Sequence, residues 1–210
     1  MKTILCFGDS ITWGFDPATG GRHLYPNRWT SVLQDFLGDE YKVIVEGLCG
    51  RFTVHDDPWH EARNGNTLLM PVLESHKPID LLVLMLGTND ILHMKDVTAA
   101  DAARGAEVLI KKILISECGP DDRPPKILLL APPLLGTLSA DLNMFCHGNP
   151  VYSENFASCY RQTAKQLGVA FFDAGHVCIP SHEDGVHLDR EANRLLGEAL
   201  VSPVLKALAG

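Results

Sequence analysis

The chain has 210 residues, 46% hydrophobic and 21% charged, the composition of a globular protein whose sizeable core fits one domain over residues 1–210. A formal net charge of −8, with no cluster of Lys and Arg to offset it, argues against a nucleic-acid partner, since such binding rests on neutralising phosphates. No apolar run approaches the roughly 18 residues of a membrane span. The first apolar run is too short and too soon broken by turn residues to read as a secretory signal. Six scattered cysteines (Cys6, Cys49, Cys118, Cys146, Cys159, Cys178) form no CxxC pair and no zinc-like spacing. The expectation is free thiols in a reducing compartment, hence a cytoplasmic protein without a membrane partner.

In chain order, the apolar run ending at Phe7 stops at Gly8-Asp9-Ser10, as a buried strand does when it delivers a small polar residue to the edge of a sheet. Pro17, Gly20-Gly21 and Pro26 make residues 12–27 a surface loop. Trp29, Val32, Leu33, Phe36 and Leu37 recur at helical spacing, and Gly38 supplies a stop. Val43–Val45 is a second short strand, followed by Glu46-Gly47-Leu48-Cys49-Gly50-Arg51 and an irregular stretch over 51–65. Leu68, Leu69, Val72 and Leu73 predict a helix up to His76, with Pro71 near its start.

Asp80–Leu86 reads as a strand buried on both faces, broken at Gly87-Thr88-Asn89-Asp90. Thr98 and Asp101 resemble a capping box for an amphipathic helix through Leu114, ended by Gly119-Pro120. Ile127–Ala131 is a fourth strand closed by Pro132-Pro133, and residues 134–150 form a long loop. A helix around 152–167 leads to a last strand, Val169–Phe172. Asp189 caps a final helix through Leu200, kinked or ended at Pro203. The alternation predicts an α/β fold: a three-layer α/β/α sandwich around a five-stranded parallel sheet in the flavodoxin-like order 2-1-3-4-5.

A serine hydroxyl is a poor nucleophile until a base takes its proton, and histidine is the usual base. Asp184-Gly185-Val186-His187 follows the last strand and sets a carboxylate where it can hold the imidazole, on the sheet edge that Ser10 reaches. The oxyanion of acyl transfer needs donors, and Ser10 N–H, Gly50 N–H and the Asn89 amide all follow strands on that edge. Trp13, Met144 and Phe145 are candidate walls of an acyl pocket. Asp9 is expected to hold the Ser10 turn, and Arg51 to serve as an ion-pair partner in the 51–65 loop. His55, Asp56, Asp57 and His60 read as solvated side chains rather than metal ligands.

Gly8-Asp9-Ser10, the glycines Gly47 and Gly50, Gly87-Thr88-Asn89-Asp90 and Asp184-Gly185-Val186-His187, in that order, resemble the four blocks of the SGNH (GDSL-type) hydrolase superfamily. Cys6–Gly14, Glu46-Gly47-Leu48, Met85–Asp90, Asp57-Pro58, Arg63-Asn64-Gly65 and Phe172-Asp173-Ala174-Gly175 resemble its arylesterase/acyltransferase branch more narrowly. The nucleophile motif here is Gly-Asp-Ser-Ile, and residues 134–150 match only loosely. The resemblance implies Ser10 as nucleophile, His187 as base, Asp184 as its partner, and Ser10, Gly50 and Asn89 as oxyanion hole, with no cofactor and no metal. It further implies a homo-oligomer that hydrolyses short acyl esters and transfers acyl groups to alcohols or peroxide. Carbohydrate acetylesterase, lysophospholipase and thioesterase activity of the same superfamily are the alternatives. An FMN-binding module and a metallophosphoesterase are readings of other classes.

Overall fold

A short continuous run of Leu, Ile and Val, without polar alternation, suits a strand buried on both faces of a sheet. In a computed structural model describing residues 1–210, the runs at Ile4–Phe7, Leu81–Met85 and Leu128–Ala131 meet that condition. The strands are β1 (Lys2–Gly8), β2 (Phe15–Asp16), β3 (Gly21–Arg22), β4 (Tyr41–Gly47), β5 (Leu81–Met85), β6 (Lys126–Ala131) and β7 (Ala170–Asp173). The helices are α1 (Ser10–Trp13), α2 (Trp29–Leu37), α3 (Gly65–His76), α4 (Thr88–His93), α5 (Ala99–Leu114), α6 (Ala140–Phe145), α7 (Phe156–Leu167) and α8 (Arg190–Ala209). The main sheet runs β4-β1-β5-β6-β7 with every pair parallel, the order predicted from the sequence. One face packs on α3, α5 and α7 through Leu5, Phe7, Leu82, Leu84 and Leu129. The other packs on α2 and α8 through Ile4, Cys6, Val83, Met85 and Leu130. The chain is therefore a three-layer sandwich.

Several predicted boundaries move. Pro71 lies in the middle of α3, not near its start; Asn64 caps the first turn by accepting the Asn66 N–H, and Leu69 and Leu73, both fully buried, hold the helix on the core across the proline. Pro203 does not end α8. Leu200, Val204 and Leu208 continue one buried stripe at four-residue spacing. Burying Val204 and Leu208 contributes about 1.5–3 kcal/mol each, enough to outweigh the roughly 3 kcal/mol cost of an internal proline.

Helix α5 stops at Leu114, short of Gly119, because the Ser116 N–H and hydroxyl both bond the Ile113 carbonyl that the next turn would use. The Thr98–Asp101 capping box is present at its other end. The long 134–150 loop contains α6, and the helix expected from 152 begins as a 3₁₀ turn at Pro150–Asn155. Within the loop after β1, β2 and β3 pair as a two-strand hairpin, Phe15 opposite Arg22. Gly87-Thr88-Asn89-Asp90 is the entry of α4 rather than a simple turn: Gly87 takes φ 128°, and Thr88 starts the helix.

Candidate active site

β1 ends at Gly8, and the Asp9 carboxylate accepts the Ile11 N–H at 3.0 Å, so Ser10 becomes the first residue of α1 at the carboxyl edge of the sheet. This turn presses against β4. A Cβ on Gly47 would lie 2.2 Å from the Trp13 nitrogen, so only glycine admits α1 this close.

Ser10 Oγ lies 2.8 Å from His187 Nε2, and His187 Nδ1 lies 2.6 Å from Asp184 Oδ2. The three residues are 7%, 9% and 7% exposed, so the relay is almost sealed from bulk water. Asp184 Oδ1 accepts the backbone N–H of Val186 and of His187, each at 2.9 Å. Burial pushes the Asp184 carboxyl up, but the hydrogen bond and charge of His187 and these two N–H groups outweigh it, holding the carboxyl below its ordinary range. An ionised carboxylate on Nδ1 keeps the proton there and leaves Nε2 to accept from the Ser10 hydroxyl. The loop bearing His187 is folded on itself by Ser181 N–H to His187 O (2.7 Å) and Gly185 N–H to Ser181 O (2.9 Å). His23 Nε2 and Asn193 Nδ2 bond the carbonyl of the next residue, Leu188, at 2.9 and 3.1 Å.

The sheet order sets the donors around Ser10. β4 and β5 flank β1 on its two sides, with Gly8 in register with Gly47 and Met85. Gly50 follows β4 and Asn89 follows β5. Ser10 N–H, first in α1, has no intrahelical partner. Asn89 Nδ2 gives one proton to the Arg51 carbonyl at 3.0 Å, which ties the two flanking loops together and leaves its second proton free.

Arg51 is not an ion-pair partner in the 51–65 loop. Its buried guanidinium donates to the carbonyls of Gly8 and Glu46 and lies 4.1 Å over the Phe7 ring, clamping the ends of β1 and β4. Asp90, the last residue of the Gly87-Thr88-Asn89-Asp90 block, is fully buried and accepts the Thr53 N–H at 3.0 Å and hydroxyl at 2.5 Å. Burial pushes its carboxyl up against the lowering effect of those bonds. His55 is half-buried, with Nε2 3.8 Å from Asp90, rather than solvated, whereas His60 is exposed and pairs with Asp57 at 2.9 Å. No group of three or more His, Cys, Asp or Glu side chains is arranged to hold a metal ion.

A cavity of about 560 Å³ adjoins Gly50 and is lined by Phe52, Trp59, His60, Arg63, His93 and Phe145 among others. His93 stands one helical turn after Asn89, and burial lowers its pKa. Of the three pocket residues expected from the sequence, only Phe145 lines this cavity. Met144 is not among its lining residues and is 73% exposed, and Trp13 lies beneath the Arg22 guanidinium, 4.8 Å from its ring centre. Phe15 was missed: its ring packs on His187 with centroids 4.2 Å apart. Nothing but its place one residue beyond Gly14 would have marked it, since a two-residue strand carries no periodic signal.

A model of the GDSL-like lipase/acylhydrolase family matches residues 6–195. Among solved structures, a carbohydrate acetylesterase family member from Sinorhizobium meliloti is 41% identical over 100% of both chains, with a TM-score of 0.93. The aryl esterase of M. smegmatis is 38% identical over 99% of this chain and 100% of its own, with a TM-score of 0.92. The acetylxylan esterase of Xylanibacter ruminicola is 24% identical over 96% of this chain, which spans 42% of that protein's length. The chain thus belongs to the GDSL-like lipase/acylhydrolase family and is a serine-type carboxylic ester hydrolase.

Proposed function

We propose that Ser10 is the nucleophile, His187 the general base and acid, and Asp184 the group that orients and charge-stabilises His187, acting on esters of short, acetyl-like acyl groups. Ser10 Oγ bonds the ester carbonyl carbon as its proton passes to His187 Nε2. The carbonyl oxygen takes the negative charge and is received by Ser10 N–H, Gly50 N–H and the free Asn89 amide proton. Collapse breaks the bond to the leaving alcohol, which takes the proton from His187, and leaves an acyl-serine. Water then gives its proton to His187 and attacks, releasing the acid and restoring Ser10. An alcohol or peroxide in place of water accepts the acyl group by the same step.

The single observation that carries this reading is the Ser10–His187–Asp184 relay at 2.8 and 2.6 Å. Its burial favours small acyl groups over long chains. The test is hydrolysis of p-nitrophenyl esters from acetate to octanoate by wild type and Ser10→Ala. Turnover that falls with chain length and is lost in Ser10→Ala fits the proposal; Ser10-independent turnover sinks it.

A second reading of the alcohol side, a carbohydrate, is favoured by the mixed aromatic and polar lining beside Gly50, with Trp59, His60, Asp56 and Arg63. Comparing kcat/KM on acetylated sugars and on phenyl acetate decides between them. The apolar side chains that line the cavity at Trp59 and Phe145 are exposed, which supports a homo-oligomer whose neighbouring subunit covers them; a monomer by light scattering would refute it. Six unpaired cysteines support a cytoplasmic setting. No helix is long and apolar enough to cross a membrane.

A further inference from the structure

We propose that Phe15 is a positioning residue for the base: the face of its ring supports the imidazolium that His187 becomes when Ser10 gives up its proton. The proposal rests on His187 being the base. Both ring nitrogens of His187 are engaged in the plane of the imidazole, Nδ1 by Asp184 and Nε2 by Ser10. The faces of the ring remain open to a further partner, and Phe15 packs on one, with centroids 4.2 Å apart and planes inclined by 37°. A neutral imidazole gains only dispersion from that contact. An imidazolium gains in addition the attraction of a cation for the electron-rich face of an aromatic ring within about 6 Å. The contact is therefore stronger in the transition state than in the resting enzyme, the one kind of interaction that speeds the chemical step.

The ring is held there from both sides. Phe15 pairs with Arg22 across the β2–β3 hairpin, and His23 N–H returns to the Gly14 carbonyl at 2.8 Å. His23 then bonds the Leu188 carbonyl at 2.9 Å, one residue beyond His187, and Arg28 Nε holds the His23 carbonyl at 2.9 Å. The hairpin and the His187 loop thus form one clip, with Phe15 and His187 in tilted contact inside it.

The charged groups around the ring stay constant when Phe15 is changed. Asp184 lies in its plane, and Asp9 is buried at the start of α1. Asp16 on the hairpin is turned to His23 at 3.8 Å, and Arg22 lies over Trp13. Glu183 and Asp189 sit on the loop that bears His187, Asp189 capping α8.

The experiment is the pH dependence of kcat and kcat/KM on a neutral aryl acetate. It compares wild type, Phe15→Leu, Phe15→Tyr and proteins carrying mono-, di- and trifluorinated phenylalanine at position 15. Phe15→Leu keeps the bulk and removes the aromatic face. It is expected to lower kcat by about 2- to 30-fold and to move the acid limb to lower pH by about 0.4–1.5 units, because the protonated base has lost a partner. Phe15→Tyr restores both, and progressive fluorination, which keeps the shape and drains the face of charge, lowers kcat in graded steps. A fall in kcat with a stationary acid limb and a flat fluorine series would show that Phe15 merely packs, and would overturn the proposal; so would wild-type values throughout. The fluorinated proteins decide the matter even where Phe15→Leu fails to fold. Absence of Ser10-dependent turnover in the wild type would remove the assignment of the base itself, and the two failures are thereby told apart.

Discussion

Asp184 makes three hydrogen bonds that separate chemistry from stability. Its Oδ2 holds the His187 ring, and its Oδ1 holds two backbone N–H groups, those of Val186 and His187, both in buried residues. Asp184→Asn keeps a carbonyl oxygen for the backbone and turns an amide NH₂ toward Nδ1. Two donors then face each other, the imidazole takes the other tautomer, and Nε2 carries a proton where it must accept one. On the geometry seen here kcat should fall about 10⁴-fold with the melting temperature nearly unchanged. Asp184→Ala should lose as much activity and also strand two buried N–H groups at about 1–3 kcal/mol each. In a chain of this length that lowers the melting temperature by about 4–24 °C. Steady-state hydrolysis of an aryl acetate, with thermal melts of the same preparations, measures both. If Asp184→Asn kept more than about a tenth of the wild-type kcat, the reasoning about the tautomer would be refuted.

Asp9 gives a pH prediction. Burial pushes its carboxyl up to about 6 from 3.8, against the Ile11 N–H and the charges of His187 and Arg51. The folded protein thus binds this proton more tightly than the unfolded chain does. The cost of ionising Asp9 is absent below the unfolded value, grows as pH rises, and levels near 3 kcal/mol above about pH 6. Asp9→Asn, which keeps the capping acceptor, should therefore melt about 6–12 °C above wild type at roughly pH 8 and level with it at roughly pH 4; an equal difference at both contradicts the assignment. Gly87→Ala should destabilise by about 2–5 kcal/mol in chemical denaturation, because its φ of 128° strains any side chain and a Cβ would lie 2.1 Å from Tyr160 Oη, which bonds Leu86 O. Thr98→Ala, which removes one half of the α5 capping box, should cost about 1 kcal/mol in the same measurement and leave ester hydrolysis at the wild-type rate.

What could be read from the sequence follows from what each feature needs. Leu81–Met85 and Leu128–Ala131 announce themselves because burial on two faces leaves no polar position, and right-handed crossovers then admit few strand orders. Ser10 and Asn89 were legible as residues because each stands just past a strand end, and the Asp184–His187 pair because it lies in the loop after the last strand, in an order that a known family shares. Their distances were not, since the loop that brings His187 to Ser10 is held by bonds between segments far apart in sequence, from His23 to Leu188 and from Gly136 and Ser139 to Gly185 and Asp184. Pro71 and Pro203 misled because local propensity yields to a buried stripe on the same helix. Arg51 was placed in the wrong partnership because its acceptors are backbone carbonyls, which a sequence does not distinguish. Phe15 was invisible for a related reason. Its partner is 172 positions away, as the numbering of the pair shows, and its strand has only two residues.

The central claim is that Ser10 carries the acyl group. Reaction of the protein with an aryl alkylphosphonate, followed by intact-mass and peptide analysis, tests it most directly. The account predicts one adduct per chain, on the peptide bearing Ser10, lost hydrolytic activity in proportion to labelling, and no adduct in Ser10→Ala. Labelling elsewhere, at Cys49 for example, or inactivation that persists in step with an unlabelled Ser10, would contradict it.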